Sequence, residues 1–255
     1  MNLRVPAGYS RIEEPGATIV GRDDLVDALR EAYRAAPAGH RTIHGVASCV
    51  PGARRFEGRE PAYVMTLPGI SRHFVVRHNR HGGALRHITG DLFAGATRAP
   101  MELEISLRLK RLGVPTPPIV AFGIYPAIPG FARSDVLTEE IEDSVDLGTA
   151  LLASEPGSAE RAGLWGAVTR LLHRLAAAGV RHHDLNVKNI LIRNVDGNRA
   201  GYVLDVDRIE FDCTRRDAFA GNRARLRRSV DKWRRLKGLR VAEGEGAVLR
   251  SSADR

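Results

Sequence analysis

Alternating apolar and polar positions predict strands in the first third of the chain. Residues 62–67 (AYVMTL) and 73–78 (HFVVRH) are rich in β-branched and aromatic residues, and the turn sequence PGIS lies between them, so they predict a hairpin. Residues 99–113 mix apolar residues with Glu, Lys and Arg and end in glycine, which favours a helix with a C-cap. A further strand is predicted at 135–141 (DVLTEEI). The first half is therefore predicted to consist of short strands and one helix.

The second half of the chain changes to a helical pattern. Over residues 158–179, leucine and valine recur on one face, and the closing glycine again favours a C-cap. The stretch RHHDLNVKNILI (residues 181–192) follows, and then the Asp-Gly of NVDGNRAG gives a hairpin turn signal before a second predicted strand at 200–211. This order of elements predicts an α+β chain of two lobes, at residues 1–142 and 143–255.

The composition is that of a folded protein in a reducing compartment. Hydrophobic residues make up 43% of the chain and charged residues 27%, which argues against disorder. The two cysteines, Cys49 and Cys213, lie far apart and match no metal spacing, so a disulfide scaffold is not expected. The first residues show no secretion signal, and no apolar run approaches the roughly 18 residues that span a bilayer. Any contact with a membrane is expected to be peripheral.

The net charge of +9 predicts an anionic partner, such as nucleic acid, anionic lipid or a phosphate-rich substrate. The excess is concentrated in RLRRSVDKWRRLKGLR (residues 225–240), where apolar residues recur at helical spacing. These apolar residues are Leu226, Val230, Trp233, Leu236 and Leu239. A basic amphipathic helix of this kind can lie on an anionic membrane surface, or it can dock its apolar stripe on the core with its charges in solvent. The two interpretations are compatible.

Two carboxylates and an amide are the candidate residues for a catalytic and metal-binding site. Asp184 and Asn189 lie five residues apart in the stretch after the long helix, and Asp205 follows the apolar residues of YVL in the second predicted strand. In phosphoryl transfer, one carboxylate (Asp184) accepts the proton of the attacking hydroxyl, while the amide (Asn189) and the other carboxylate (Asp205) hold Mg²⁺ against nucleotide phosphates. Mg²⁺ prefers such hard oxygen ligands. The alternative is a helix end, a turn and a strand without chemistry.

With these motifs in this order, the sequence resembles the lipopolysaccharide kinases of the protein-kinase-like superfamily, and most of all the kinases of 3-deoxy-D-manno-octulosonic acid (Kdo). The resemblance runs from about Gly58 to Trp233. The segments that carry it are FVVRHNRHGGALRHITGDLF, MELEISLRLKRLGVPTPPIVAFG, LTEEIEDSVDL, HHDLNVKNILI, YVLDVDR and NRARLRRSVDKW. The resemblance implies a bilobal protein-kinase-like fold, with an N-lobe of antiparallel sheet plus one helix and a small, mainly helical C-lobe.

The resemblance also implies roles for individual residues. Asp184 matches the catalytic base, and Asn189 and Asp205 match the metal ligands. The positions implied for ATP are Arg77 at the phosphates, Glu102 orienting Arg77, and Thr138, Glu139 and Ile141 at the adenine. Lys188, next to Asn189, suits a contact with the transferred phosphate and a solvated surface position equally. Glu104 competes with Glu102 for its role, because helix phase alone does not separate them.

The chain departs from the usual kinase pattern at several positions. Arg77 stands where most kinases have lysine, and a guanidinium can still bridge phosphate oxygens and a glutamate. DVD replaces D-F-G, and the segment VPGARRFEGREPAYV has no G-x-G-x-x-G. His182 is interpreted as a structural hydrogen-bonding residue, and Asp207 as a structural or substrate contact. Arg86 and His87, with Arg80, form a basic cluster that suits an anionic sugar or a solvated face equally.

The resemblance implies an ATP- and Mg²⁺-dependent kinase that phosphorylates a hydroxyl of Kdo in the lipopolysaccharide inner core. The acceptor would be Kdo-lipid A or a related glycolipid, reached peripherally at the cytoplasmic face of the inner membrane through the basic C-terminal helix. About 50 residues follow Asp205, too few for the peptide-binding helical lobe of a protein kinase. The alternatives are a heptose or protein (RIO-type) kinase with the same site, and a non-catalytic scaffold on membrane or nucleic acid. No aromatic-rich stacking motif supports nucleic acid.

Overall fold

The computed structural model describes residues 3–56, 61–80, 90–94 and 98–249. The chain divides into two compact units. Unit 1 comprises Met1–Glu104 and Pro118–Glu140, and unit 2 comprises Ile105–Pro117 and Ile141–Arg255. The mixed helix and strand content agrees with the α+β prediction, while the assignment of residues 1–142 and 143–255 as kinase lobes stays a prediction.

Unit 1 is built on a large antiparallel sheet. Its described strands are β1 (Tyr9–Glu14), β2 (Ala17–Arg22), β3 (Arg54–Phe56), β4 (Ala62–Leu67), β5 (Ile70–His78), β6 (Phe93–Ala94), β7 (Ile119–Pro126) and β8 (Phe131–Glu139). They run in the order β1-β2-β7-β8-β5-β4-β3, and β6 pairs with β8. The predicted hairpin is confirmed as β4 and β5, whose turn holds Gly69 at a φ of 70°. The predicted strand at 135–141 lies within β8, apart from its last two residues.

Two helices precede this hairpin, so the prediction of strands alone in the first third is wrong, as is an N-lobe with a single helix. They are α1 (Val26–Ala35) and α2 (Ile43–Cys49). Leu29 and Tyr33, four residues apart on α1, are buried in the core of unit 1. Thr42 caps α2, because its hydroxyl accepts a hydrogen bond of 2.8 Å from the Gly45 N–H.

The third helix lies close to its predicted position. It is α3 (Arg98–Arg111), and it crosses the division between the units at Glu104. Gly113, at a φ of 69°, ends it as predicted, and the Val114 N–H bonds back to the Leu109 carbonyl at 3.0 Å. A left-handed residue after the last turn is the usual stop of a helix, and glycine adopts it without strain.

Unit 2 combines helices with small sheets. Its described helices are α4 (Leu147–Ala153), α5 (Ala159–Ala177) and α6 (Arg215–Lys237). Its described strands are β9 (Ser144–Asp146), β10 (Arg181–His182), β11 (Ile190–Val195), β12 (Asn198–Val203) and β13 (Ile209–Glu210). The predicted helix over 158–179 is confirmed as α5, whose leucine face is buried in the core of this unit.

The predicted hairpin turn is confirmed, but the strand after it is shorter than predicted. Asp196 and Gly197, at φ of 50° and 79°, join β11 to β12 in the positive-φ turn that suits twisted strands. The strand was predicted over 200–211, whereas β12 ends at Val203. Asp205 takes a left-handed backbone (φ 52°, ψ 60°) that breaks the strand before a short 3₁₀ turn at Val206–Arg208.

The basic helix α6 starts earlier and ends sooner than its predicted range, 225–240. Thr214 caps its start by accepting a hydrogen bond of 3.1 Å from the Asp217 N–H. Gly238, at a φ of 67°, ends it, so that Leu239 lies beyond the helix although its side chain is buried. The terminating glycine sets the limit that helical spacing alone did not reveal.

The apolar stripe of α6 docks on the core of unit 2. Leu226 and Val230 are buried, and the ring of Trp233 stands where a Cβ on Gly148 would lie. Leu236, by contrast, is 67% exposed. The docking interpretation of the basic helix is therefore what the structure shows for most of the stripe. Among the helices that the structure describes, none is both long and apolar enough to cross a bilayer.

A buried arginine ties the end of unit 2 to its interior. Arg161, on α5, is 2% exposed. Its guanidinium donates to the carbonyl oxygens of Leu151, Ser154 and Arg240, the last two at 2.5 and 2.6 Å. Glu245 lies 3.5 Å from the same guanidinium. A buried charge needs such a complete set of acceptors, because leaving it unpaired is costly.

In unit 1, a partly buried histidine, His78, lies between two carboxylates. The His78 ring nitrogens are 2.6 Å from Asp135 Oδ1 and 3.1 Å from Asp91 Oδ2. Carboxylate oxygens only accept hydrogen bonds, so both ring nitrogens donate and the ring is a cation. Burial lowers the pKa of His78, but the bonds and charges of the two carboxylates outweigh it and raise the pKa above about 6.5. Arg133 also binds Asp91, and the His44 ring lies 5.8 Å from the His78 ring.

This arrangement predicts a pH-dependent contribution to stability. Because the pKa of folded His78 is raised, its contribution is fully present below about pH 6.5 and is lost as the pH rises through the folded pKa. The difference in unfolding free energy between wild type and His78→Gln should therefore shrink as the pH rises above about 6.5. Urea unfolding followed by circular dichroism measures it. The exposed His40→Gln serves as control, and a His78 difference that is constant or grows with pH would contradict the prediction.

Candidate functional site

The loop that carries Asp184 is anchored in the core of unit 2. The helix before it, α5, ends at Gly179 (φ 65°), and the strand after it is β11. Leu185, Val187 and Ile190 are fully buried, so the apolar residues of the loop hold it against the helices beneath. The polar side chains are thereby fixed on a rigid support, as a catalytic site requires.

Side-chain amides fix the path of this loop. Asn186 Oδ1 accepts hydrogen bonds from the N–H groups of Lys188 and Asn189, at 2.9 and 3.2 Å. The Asp184 carbonyl in turn accepts from the side-chain amides of both asparagines, Asn186 and Asn189, at 3.0 Å each. Since the nitrogen of Asn189 is used as a donor here, its Oδ1 is the atom left for a metal ion.

His182 links this loop to the residue before Asp205. Its Nδ1 accepts from the Asp184 N–H at 3.1 Å, and its Nε2 donates to the Leu204 carbonyl at 2.8 Å. These two backbone partners require the neutral ring with its proton on Nε2. Burial lowers the pKa of His182, which favours the same neutral form. His182 therefore has the structural role that the sequence favoured.

The β11–β12 hairpin brings Asn189 and Asp205 to one end. Ile190 pairs with Val203, and the Leu204 N–H donates to the Asn189 carbonyl at 2.9 Å. Asp205 is exposed on a left-handed backbone, a conformation that Asp and Asn adopt at single positions more readily than other residues with side chains. An amide oxygen and a carboxylate are the donors that Mg²⁺ prefers, so these residues fit that metal.

The carboxylate of Asp184 has a cationic partner that sequence reasoning missed. Its Oδ1 accepts a hydrogen bond of 2.5 Å from Arg225 Nη2, while the side chain stays 44% exposed. Arg225 Nε also donates to the His183 carbonyl at 3.2 Å. No local motif marks Arg225 among the arginines of α6, so the pairing is visible only in the fold.

In unit 1, Arg77 on β5 pairs with a buried glutamate of α3. Arg77 Nη2 lies 3.5 Å from Glu102 Oε2, and the Glu102 side chain is 3% exposed. Arg98, one turn earlier, donates to Glu102 Oε1 at 3.0 Å. Glu104 is exposed, so Glu102 is the residue that meets Arg77. Sequence reasoning missed Arg98, although its spacing of four residues from Glu102 was a signal.

Glu139, predicted to meet the adenine, has its side chain in an ion-pair network. Its Oε1 accepts from Arg22 Nη2 at 2.9 Å and from Arg72 Nη1 at 2.6 Å. Both arginines also bind Asp24. The Glu139 carboxylate is thus engaged within unit 1, its N–H donates to the Pro118 carbonyl at 2.9 Å, and the adenine contact stays a prediction.

The remaining predicted nucleotide contacts have these surroundings. The Thr138 hydroxyl donates to the Val75 carbonyl at 3.3 Å within the sheet. The Ile141 carbonyl, in unit 2, accepts from the Ser144 hydroxyl at 2.5 Å. Lys188 is exposed, and its Nζ lies 6.0 Å from the centre of the Trp233 ring. Gly58, Arg86 and His87 lie outside the described residues.

Comparison with known proteins gives a consistent result. Residues 57–241 match the model of the lipopolysaccharide kinase (Kdo/WaaP) family. The chain is 32% identical over 190 residues to a 3-deoxy-D-manno-octulosonic acid kinase of Actinobacillus succinogenes, covering 72% of this chain and 76% of that protein. It is 35% identical over 193 residues to one of Stenotrophomonas maltophilia, covering 73% and 71%.

A solved structure is similar over most of the chain. The structure titled "WaaP in complex with acyl carrier protein" superimposes with a TM-score of 0.54 at 20% identity, covering 91% of this chain and 86% of that one. The two chains therefore share a fold.

Proposed function

Because this chain belongs to the lipopolysaccharide kinase (Kdo/WaaP) family and is a phosphotransferase, we propose that it transfers the γ-phosphoryl group of ATP to a hydroxyl of Kdo in the lipopolysaccharide inner core. The observation that carries this proposal is the hydrogen-bonded end of the β11–β12 hairpin. There, the Asp184 carbonyl binds the Asn189 amide, and His182 joins the loop to the residue before Asp205.

The chemistry assigned to Asp184 follows from its position. Its exposed carboxylate accepts the proton of the acceptor hydroxyl as the oxygen forms a bond to the γ-phosphorus. The bond between that phosphorus and the β–γ bridging oxygen breaks, and ADP leaves. Asn189 and Asp205 would hold Mg²⁺, which neutralises phosphate charge when bound. Lys188, exposed on the same loop, would contact the transferred phosphate.

The nucleotide contacts proposed in unit 1 rest on its buried ion pair. Arg77 would bind the α- and β-phosphates, and Glu102 would hold its guanidinium in place. Thr138 and Glu139, with Ile141, would meet the adenine. Because the transition state is loose, positioning and charge neutralisation would supply most of the rate enhancement.

The charge of α6 supports an anionic glycolipid acceptor, Kdo-lipid A or a close relative. The exposed basic side chains of this helix include Arg228, Lys232, Arg235 and Lys237. Leu236, 67% exposed, lies among them, so one apolar side chain is available to anionic lipid. We propose that the protein acts peripherally at the cytoplasmic face of the inner membrane, with this helix on the lipid surface.

Incubation with Mg²⁺-ATP and a panel of acceptors tests the proposal. Kdo-lipid A should gain the mass of one phosphate, and tandem mass spectrometry should place it on Kdo. Phosphate on heptose of a heptosylated core, or on a protein acceptor, would instead assign the site to the alternative kinases. Absence of Mg²⁺-dependent ATP binding would leave a non-catalytic scaffold.

The ion pair with Arg77 gives a separate prediction. Glu102→Gln should lower kcat/KM by about 10- to 100-fold, because Arg77 loses its fixed partner and the phosphates lose their alignment. Steady-state kinetics with varied ATP measure the effect. Glu104→Gln, two residues away and exposed, is the matched control and should match wild type. Equal effects of the two substitutions would reject the role of Glu102.

A further inference from the structure

The structure assigns Arg225 as a positioning residue for the phosphoryl transfer. We propose that this arginine, 41 residues after the candidate base, orients the Asp184 carboxylate so that Oδ2 meets the acceptor hydroxyl. The inference rests on the proposed function and extends it to a residue outside the catalytic loop.

The carboxylate is bound on one side only. Arg225 Nη2 donates to Oδ1 at 2.5 Å, and within the described residues Oδ2 has no hydrogen-bond partner. The two oxygens would thus have different roles: Oδ1 is bound by the guanidinium, and Oδ2 would accept the hydroxyl proton. An arginine suits this task because it stays protonated, and so cannot take the proton in place of Asp184.

The guanidinium is itself held at two points. Nε donates to the His183 carbonyl while Nη2 donates to Asp184, so its plane is fixed by two neighbouring residues of the loop. A lysine ammonium is a point charge on a flexible stem and cannot reproduce this fork. Orientation of the carboxylate therefore depends on the shape of the arginine as well as on its charge.

Helix α6 is bound to the same loop by two further hydrogen bonds. Asn222 Oδ1 accepts from the His182 N–H at 2.8 Å, and the Ser229 hydroxyl accepts from the Val187 N–H at 3.2 Å. Asn222, Arg225 and Ser229 are spaced by three and four residues, so they lie along one edge of the helix. The position of Arg225 is consequently set by contacts on both sides of it.

A purely structural role fits the exposure poorly. The side chains of Arg225 and Asp184 are 29% and 44% exposed, and ion pairs this accessible contribute little to stability. The buried contacts of Asn222 and Ser229 already attach the loop to the helix. The ion pair is thus expected to affect catalysis much more than folding.

The test compares Arg225→Gln and Arg225→Lys with Arg174→Gln, a control that removes an exposed arginine from helix α5 of the same unit. Arg225→Gln should lower kcat by about 10- to 100-fold with the KM for ATP and the melting temperature unchanged. Arg225→Lys should restore part of that loss, and added guanidinium ion should partly rescue Arg225→Gln. Arg174→Gln should match wild type.

A double-mutant cycle separates positioning from other roles. If Arg225 acts through Asp184, Arg225→Gln should cause no further loss in an Asp184→Asn background. The same loss in both backgrounds, or unchanged kcat in Arg225→Gln of an active wild type, overturns this inference alone. A wild type that phosphorylates no acceptor overturns the proposed function and, with it, the role of Arg225.

Discussion

Asp184→Asn is expected to lower kcat by about 10²- to 10⁴-fold while ATP binding stays close to wild type. The amide cannot accept the proton of the acceptor hydroxyl, and it removes the charge that binds Arg225. The loop should keep its path, because its internal hydrogen bonds use the backbone N–H and carbonyl of Asp184. Steady-state phosphorylation of the acceptor gives kcat, and calorimetric titration with Mg²⁺-ATP gives the affinity.

Asp212→Asn is the matched control for this substitution. Asp212 is an exposed carboxylate of unit 2 that also accepts hydrogen bonds from an arginine, Arg108, at 2.7 and 2.9 Å. Removing its charge should leave kcat unchanged. If Asp184→Asn keeps wild-type kcat on an acceptor that the wild type phosphorylates, Asp184 is not the base.

Asp205→Asn is expected to lower activity at fixed Mg²⁺ by about 100-fold or more. An amide keeps the size of the side chain but supplies no negative charge to the metal, so half-maximal activity should need a higher Mg²⁺ concentration. Folding should be preserved, since asparagine tolerates the left-handed backbone of this position. Activity measured as a function of Mg²⁺ concentration tests both statements.

Asp196→Asn controls for the backbone. Asp196 also has a positive φ, 50°, at the turn of the same hairpin, and its replacement makes the same chemical change away from the site. It should leave the Mg²⁺ dependence unaltered. The metal role of Asp205 is rejected if Asp205→Asn and Asp196→Asn show identical Mg²⁺ curves.

The sequence was most informative where chemistry and local structure coincide. The stretch RHHDLNVKNILI predicts its loop because buried Leu185 and Ile190 alternate with polar Asp184 and Asn189 over a few residues. The Asp-Gly turn predicts the following hairpin for the same reason, since its geometry depends on two adjacent residues. Patterns of this kind need no information from distant parts of the chain.

Contacts between residues that lie far apart in the sequence could not be predicted from such patterns. Arg225 is one of many arginines on its helix, and only the fold shows that it reaches Asp184. The choice between Glu102 and Glu104 likewise depends on which side chain is buried, and helix phase did not decide it. The break after Val203 was missed because YVLDV looks like a continuous strand, while Asp205 turns into a left-handed conformation.

The helix α1 was not predicted either, although its signal is local. Its sequence, VDALREAYRA, is rich in good helix formers, with Leu29 and Tyr33 at a spacing of four residues. The helical signal was therefore present in the sequence, within a region where the neighbouring segments do form strands.

The buried Arg161 has a consequence for the motions of unit 2. Its guanidinium donates to carbonyls near the end of α4 and to the Arg240 carbonyl, which lies after α6. Opening either segment would therefore leave a buried charge without its hydrogen-bond acceptors. These segments should therefore exchange their amide hydrogens together, as one cooperative element. Helix α6 is consequently held past its C-terminal end as well as along the loop that carries Asp184. A helix restrained at two places should move little relative to the rest of unit 2, which would keep the Arg225 guanidinium within reach of the Asp184 carboxylate.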